Sequence, residues 1–373
     1  MGGPAGVEGS GRRGAARARG AGTGGMTGSR VLVTGGAGFI GSNLADRLAR
    51  DGCEVVILDT LARPGVAKNL EWLEGRHGDR IVRMTEDVRD AAAVRRAAQG
   101  VDGVFHMAAQ VAVTSSLVDP REDFEVNLLG GLNVLEAARQ EKAPVIFAST
   151  NKVYGDLSDI PLELTDDGYL PADPALRATG VGESRPLDFH TPYGCSKGGA
   201  DQYVLDYARS FDLPTCVLRM SCIYGPRQMG TEDQGWVAHF LIRALAGQPI
   251  TIFGDGLQVR DILNVGDAVE AYVAAWRQIE VVKGRAFNLG GGPANTVSLR
   301  RILAYIEEVV GRRVELVFED WRTGDQRYFV ADTRDVRRTL GLPDPLGWRQ
   351  GVVELARWLS EEGAARARTG VAA

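Results

Sequence analysis

The chain has 373 residues, 44% of them hydrophobic and 24% charged, enough for a large core and two lobes. A formal net charge of −5 gives no general electrostatic reason to bind nucleic acid or an anionic membrane, and no stretch is long and apolar enough to span a bilayer. The four cysteines (53, 195, 216 and 222) lack C-x-x-C spacing and the four histidines are scattered, so the cysteines are expected as buried thiols of a cytoplasmic enzyme, with no metal site.

In chain order, residues 1–28 are mostly Gly, Ala, Arg and Ser, with Arg12, Arg13, Arg17 and Arg19 and no apolar core of a secretion signal. Such a segment is expected to be disordered, and Met26 stands as a candidate start of translation, which N-terminal sequencing of native protein would settle. A short apolar strand, Arg30–Thr34, then enters the run Gly35-Gly-Ala-Gly38-Phe39-Ile40-Gly41 and a helix, Ser42–Arg50. Glycines at 35, 38 and 41 have the spacing of a phosphate-binding turn: a tight bend, an approach of backbone to a pyrophosphate, and close helix–strand packing. The helix N-terminus, with Phe39 and Ile40 leading into it, offers free N–H groups to phosphate. A chain with 48 glycines could show this spacing by chance, so the next strand matters.

That strand, Glu54–Leu58, ends at Asp59, 21 residues after Gly38 (59 − 38). A carboxylate there would bind the adenosine ribose 2′-hydroxyl and repel a 2′-phosphate, which favours NAD over NADP. Arg63, the kind of residue an NADP site would use, is read instead as packing beside the adenine. A third strand, Arg80–Met84, leads to Asp87 and Val88, plausible adenine contacts, and to a helix over Arg89–Gln99. The fourth, Gly103–Met107, runs into Ala108, Ala109 and Gln110, where small residues let a cofactor lie against backbone. A helix over Phe124–Gln140 follows. The fifth strand, Val145–Ser149, delivers Thr150, followed by Asn151 and Lys152.

The helix Tyr193–Phe211 carries Tyr193 and Lys197, four residues apart and therefore on one face. A free phenol is a poor base at neutral pH, but a neighbouring cation favours the phenolate, so such a pair can move a proton on and off an alcohol. Taken singly, the pair also suits an ordinary amphipathic helix, and Thr150 a strand-end cap. Together with the glycine turn they form a dehydrogenase-like centre. A sixth strand, Thr215–Arg219, closes the alternation. The chain is therefore expected to be α/β: a Rossmann doubly wound parallel sheet over 29–224 and a smaller C-terminal α/β substrate-binding lobe over 225–362, some of whose segments return to the first domain. A second unstructured tail is expected over 363–373.

At this point the chain resembles the extended short-chain dehydrogenase/reductases of the NAD-dependent nucleotide-sugar epimerase/dehydratase family, over about residues 29–360. The glycine turn and the Tyr/Lys pair mark the superfamily. Narrower marks are Ser149-Thr-Asn-Lys-Val-Tyr-Gly-Asp-Leu157, Leu187-Asp-Phe-His-Thr-Pro-Tyr-Gly-Cys-Ser-Lys197, Ala200-Asp-Gln-Tyr-Val-Leu-Asp-Tyr-Ala-Arg209, Asp233-Gln-Gly-Trp-Val237, Gln258-Val-Arg-Asp261 and Asp325-Gln-Arg-Tyr-Phe-Val-Ala-Asp332. These resemble members that invert carbon 2 of a CDP-sugar, with Asp188-Phe-His190 pointing to that carbon.

The resemblance implies Thr150, Tyr193 and Lys197 as catalytic residues and bound NAD as the cofactor. The substrate is a nucleotide-diphosphate sugar, contacted by Asn151, by Arg260 and Arg322 at the diphosphate, and by Arg227. In the implied reaction Tyr193 takes a hydroxyl proton while hydride leaves the same carbon, and hydride then returns to the other face of the ketone. Lys197 would keep the phenol acidic, and the 39-residue excursion from Tyr154 to Tyr193 (193 − 154) would form part of the sugar pocket or its lid. Dehydratases of this family place Asp-Glu directly after the catalytic Thr; Asn151 and Lys152 cannot supply that acid and base. The same substitution counts against decarboxylases with a glutamate there. A non-catalytic NAD-binding protein would not need all three catalytic residues. Epimerisation at carbon 4 of a UDP-, CDP- or GDP-sugar uses the same residues and stays open. Met220, Cys222, Pro226, Met229 and Asn264 depart from the carbon-2 pattern, at positions expected to line or back the sugar pocket. A homodimer through the helices Phe124–Gln140 and Tyr193–Phe211 is expected by resemblance.

Overall fold

The computed structural model describes residues 26–369, with 363–369 described through the backbone alone. Seven parallel strands form the central sheet in the order Arg285–Leu289, Thr215–Met220, Val145–Thr150, Gly103–His106, Arg30–Thr34, Glu54–Leu58, Ile81–Met84. Residues of one strand alternate between faces, and both faces are covered. Val31, Val33, Val55, Ile57, Ile146 and Leu218 pack with Leu44, Leu48 and Tyr272 on one side. Leu32, Val56, Val104, Val145, Phe147 and Val217 pack with Val94, Leu135 and Val204 on the other. Sandwiched in this way, the strands read as continuous apolar runs. The strand order reverses between Arg30–Thr34 and Gly103–His106, which opens a crevice over the carboxyl ends of the strands.

Six of the seven strands were expected, within a residue of their observed ends. The seventh, Arg285–Leu289, comes from beyond residue 224 and pairs in parallel with Thr215–Met220. The first helix begins at Phe39, not Ser42, because Gly38 is its N-cap. The helix expected over Phe124–Gln140 is three pieces: Pro120–Phe124, a π-helical turn Glu125–Leu129, and Gly130–Glu141. Asp119 starts it earlier by accepting from Glu122 N, with Pro120 in the first turn, a favourable start.

The second lobe has its own core, in which the helices Trp236–Ala246, Leu299–Val310 and Trp348–Thr369 pack on the strands Ile250–Phe253 and Val259–Asn264. The Tyr154–Tyr193 excursion is ordered: a hairpin of Leu162–Thr165 and Gly168–Pro171, then a helix Pro174–Thr179. Leu157, Ile160 and Val181 bury against Val259, Tyr328 and Phe329.

The tails correct the expected boundaries. Residues 1–25 and 370–373 lie outside the described residues. Met26 is buried, and its carbonyl accepts from Cys53 Sγ at 3.4 Å. Residues 363–369 continue the last helix to Thr369, as the good helix formers Ala364, Ala365, Arg366, Ala367 and Arg368 allow. Cys195, expected buried, is exposed.

Candidate active site

A cleft of about 1810 Å³ runs between the lobes over the strand ends, larger than a pocket for one small ligand and roomy enough for a dinucleotide and a nucleotide sugar. At its floor Gly35 holds a left-handed backbone (φ +65°), where a Cβ would stand 2.7 Å from Ala108 N. A Cβ on Gly41 would overlap the Gly35 carbonyl oxygen, so this turn closes only with glycines. Gly38 caps the twelve-residue helix Phe39–Arg50 without a side-chain partner for its first N–H groups. Gly38, Phe39, Ile40 and Gly41 all line the cleft, which is the arrangement that receives a phosphate.

Asp59 sits at the end of Glu54–Leu58, its carboxylate held by Ala37 N (3.1 Å) and Leu61 N (2.9 Å). Arg63 lines the cleft beside it and donates to Gln234 of the second lobe. Asp87 and Val88 line the same end, with Asp87 paired to Arg89 at 2.7 Å. Ala108, Ala109 and Gln110 line the middle. Gln110 N donates to Asn127 Oδ1 at 2.9 Å, and Asn127 Nδ2 donates to Ser196 Oγ at 3.0 Å. The π-helical turn thus ties the cofactor loop to the helix Thr191–Ser210, the kind of site where such turns recur.

Thr150, Tyr193 and Lys197 meet at the end of Val145–Thr150, and all three are buried. The Thr150 side chain is close enough to the Tyr193 phenol to favour its ionised form. Lys197 Nζ donates to Ala148 O at 2.7 Å and lies 4.2 Å from the centre of the Phe147 ring. Burial pushes the Tyr193 phenol up to about 12, against the lowering effect of Thr150. Burial likewise pushes the Lys197 amine down to about 7, opposed by Asp201 and Asp123. The expected lowering of the phenol by Lys197 is therefore not a property of the protein alone. Removal from water disfavours both charges, and the ammonium is turned to a carbonyl and a ring.

Behind these residues lies a buried network not foreseen from the sequence. Asp201 accepts two hydrogen bonds from Arg219, both 2.9 Å, and one from Ser149 Oγ at 2.8 Å. Arg219 also donates to Tyr154 Oη (3.1 Å), which donates to Asn288 (2.8 Å). The network locks the helix of Tyr193 and Lys197 onto three neighbouring strands. Its signal was available: Asp201 continues the four-residue spacing of Tyr193 and Lys197 (201 − 197 = 4), hence the same inward face.

The expected substrate residues divide. Asn151 is buried and donates to Gln326 Oε1 at 3.3 Å. Arg260 lines the cleft but donates to Val259 O, Gln326 O and Asp325 Oδ1. Arg322 lies 3.7 Å from the Phe253 ring centre, donates to Glu232 O at 3.1 Å and pairs with Asp233 at 3.3 Å. The guanidinium of Arg227 stacks 4.0 Å from Trp72 and 5.5 Å from Trp358 and faces Glu362 at 3.8 Å. Arg227 itself lines the cleft, although none of those three partners does.

Two motif expectations are corrected. None of residues 155–192 lines the cleft, so the excursion is structural support, not pocket or lid. Within it, His190 Nε2 sits 3.0 Å from Asp188 Oδ2 and Phe189 packs against Gly198, so Asp188-Phe-His190 braces the helix Thr191–Ser210 from outside. By contrast all of Asp233-Gln-Gly-Trp-Val237 lines the cleft, as do Met220, Cys222 and Met229. Asn264 and Pro226 do not; Asn264 caps the helix Val265–Arg277 through Gly266 N at 2.8 Å.

A doubly wound sheet, a glycine turn under a cleft, and a Thr–Tyr–Lys centre at a neighbouring strand end define an extended short-chain dehydrogenase/reductase. The sequence profile of the NAD dependent epimerase/dehydratase family matches residues 31–290, and the chain belongs to that family. It is 40% identical over 340 residues to the CDP-paratose 2-epimerase of Salmonella typhi, covering 89% of this chain and 99% of that one. The solved UDP-glucose 4-epimerase of Thermus thermophilus in complex with NAD superposes with a TM-score of 0.75 at 32% identity, covering 89% and 99% of the two chains. The UDP-glucuronic acid 4-epimerase of Bacillus cereus, solved with UDP-glucuronic acid and NAD, gives 0.77 at 27% identity over the same shares. The chain is an NAD-dependent enzyme of the isomerase class.

Proposed function

We propose that this enzyme inverts carbon 2 of a CDP-sugar, of the CDP-paratose to CDP-tyvelose type, through a transient keto sugar. The observation that carries the reading is the chemistry around Thr150: Tyr193 and Lys197 converge on it, while the next two residues are an amide and an amine. Oxidation and reduction at one carbon are provided for, and elimination is not. The choice of carbon 2 and of cytidine is supported by the 40% identity to a CDP-paratose 2-epimerase over nearly its whole length.

Thr150 holds the reacting oxygen, and Tyr193 Oη accepts its proton and later gives it back, as a general base and then a general acid. Gly35–Gly41, Asp59 and Ala108–Gln110 would hold NAD, which would supply the hydride acceptor and a positive charge that favours the phenolate of Tyr193. Lys197 lies on the same helix face, its amine on Ala148 O and beside the Phe147 ring. Binding energy held at the nucleotide and diphosphate leaves the sugar free to turn.

Epimerisation at carbon 4 is the second reading, favoured by the likeness to two solved UDP-sugar 4-epimerases. Incubation of the purified enzyme with CDP-, UDP- and GDP-sugars, with products identified by NMR, decides between them. Inversion at carbon 2 of a CDP-sugar is expected; inversion at carbon 4 would replace the proposal. We further propose a cytoplasmic homodimer. Free thiols fit a reducing compartment, and Phe124, Leu129, Tyr203 and Phe211 lie exposed on or beside the two helices that flank the centre.

A further inference from the structure

Lys152 stands two residues beyond Thr150, on the 3₁₀ turn Asn151–Tyr154, and its side chain lines the cleft with Thr150, Asn151 and Tyr193. Its ammonium donates to Gly324 O at 3.1 Å and lies 3.9 Å from Asp325 Oδ1, too far for a hydrogen bond. An ammonium has three donors, and a sequestered one with a single close acceptor is suited to meet acceptors that the protein does not provide. Asp325 is closer to Arg260, at 2.7 Å, so its charge is already shared. Arg260 directs hydrogen bonds to protein oxygens on three residues. Lys152 thus has donors to spare beside Thr150, and the other amine of the cleft, Lys197, is turned to Ala148 O and the Phe147 ring.

We propose that Lys152 binds the sugar-side phosphate of the nucleotide sugar and so fixes the register in which carbon 2 faces Tyr193. This rests on the function proposed above. The phosphate ester oxygen is attached to carbon 1, next to carbon 2 and across the ring from carbon 4. When carbon 2 reacts, the sugar-side phosphate must come close to Thr150 and Tyr193 and needs a cation there. When carbon 4 reacts, the phosphate lies a ring's width away. A cation two residues from Thr150 serves the first register.

The test is calorimetry on the NAD-containing enzyme with CDP and CMP, UDP and UMP, and GDP and GMP, using the base that wild type binds best. Only the diphosphate carries the sugar-side phosphate. Lys152→Met is expected to weaken diphosphate binding about ten- to hundredfold and leave the monophosphate within about twofold of wild type; Lys152→Arg is expected to restore most of the loss. If Lys152→Met does not fold, Lys152→Gln makes the same comparison. Unchanged diphosphate affinity, equal losses for both nucleotides, or an arginine variant no better than methionine overturns the phosphate site. Carbon-2 inversion by wild type together with any of those results overturns this inference and leaves the functional proposal standing. Carbon-4 inversion by wild type overturns the register, whatever the nucleotides show.

Discussion

Tyr193 and Lys197 share a space so withdrawn from water that both lean toward their neutral forms, the phenol near 12 and the amine near 7. In the proposed mechanism such a phenol would become a base when positive charge enters beside it, which would couple proton removal to the oxidised cofactor. Tyr193→Phe is accordingly expected to retain NAD and lower kcat by about 10²–10⁴-fold, measured by product formation and by analysis of the released cofactor; full activity would contradict the role. Lys152 gives a second prediction at this scale. Burial lowers its amine to about 8, with Asp325, Cys222 and Asp156 raising it and Arg260 lowering it. The ammonium predominates below that value and is lost above it, so KM for the nucleotide sugar is expected to rise as pH passes 8. Lys152→Arg stays charged and is expected to remove that rise. That Thr150, Tyr193 and Lys197 would share one cleft was legible in the sequence, because one ends a strand and the other two lie on one face of a helix beside it. Asp201 and Arg219 were not singled out, since a buried ion pair between a helix and the strand after it shows only when the two are packed together.

The elements around the cleft were legible where one rule governs them. The parallel strands are buried on both faces and read as apolar runs, and the glycine turn is dictated by contacts within a few residues. A Cβ on Gly41 would overlap the Gly35 carbonyl, whereas one on Gly38 would meet the same oxygen at 3.1 Å. Gly41→Ala is therefore expected to lower the melting temperature of the enzyme more than Gly38→Ala, with NAD occupancy falling in both; equal melting temperatures would contradict the packing argument. Asp201→Ala leaves the Arg219 charge buried without its partner and is expected to cost about 3–5 kcal/mol, read by urea unfolding. The strand Arg285–Leu289 escaped notice because it enters the sheet from the second lobe. The hairpin after Tyr154 was mistaken for pocket because length and Gly/Pro content describe a surface segment without saying which side of the molecule it covers. Asp188-Phe-His190 was likewise read through resemblance as a substrate mark, and it braces a helix.

For the whole molecule, the bonds that join the two lobes at the cleft include Arg63 to Gln234 at one end, and Asn151 to Gln326 and Lys152 to Gly324 at the other. The exposed Val118 and Phe124, at 86% and 51% of their full exposure, lie with Tyr203 and Phe211 on the face of the proposed dimer. Phe124→Asp combined with Tyr203→Asp is expected to give a monomer by sedimentation, and an unchanged dimer would place the interface elsewhere. The central claim is that one carbon loses a hydride and receives it back while the site keeps solvent protons from that carbon. Epimerisation of the CDP-sugar in heavy water, followed by NMR of the product, tests it most directly. The account predicts an inverted carbon 2 still bearing its original hydrogen; deuterium at that carbon would contradict it, because it would signal enolisation or elimination.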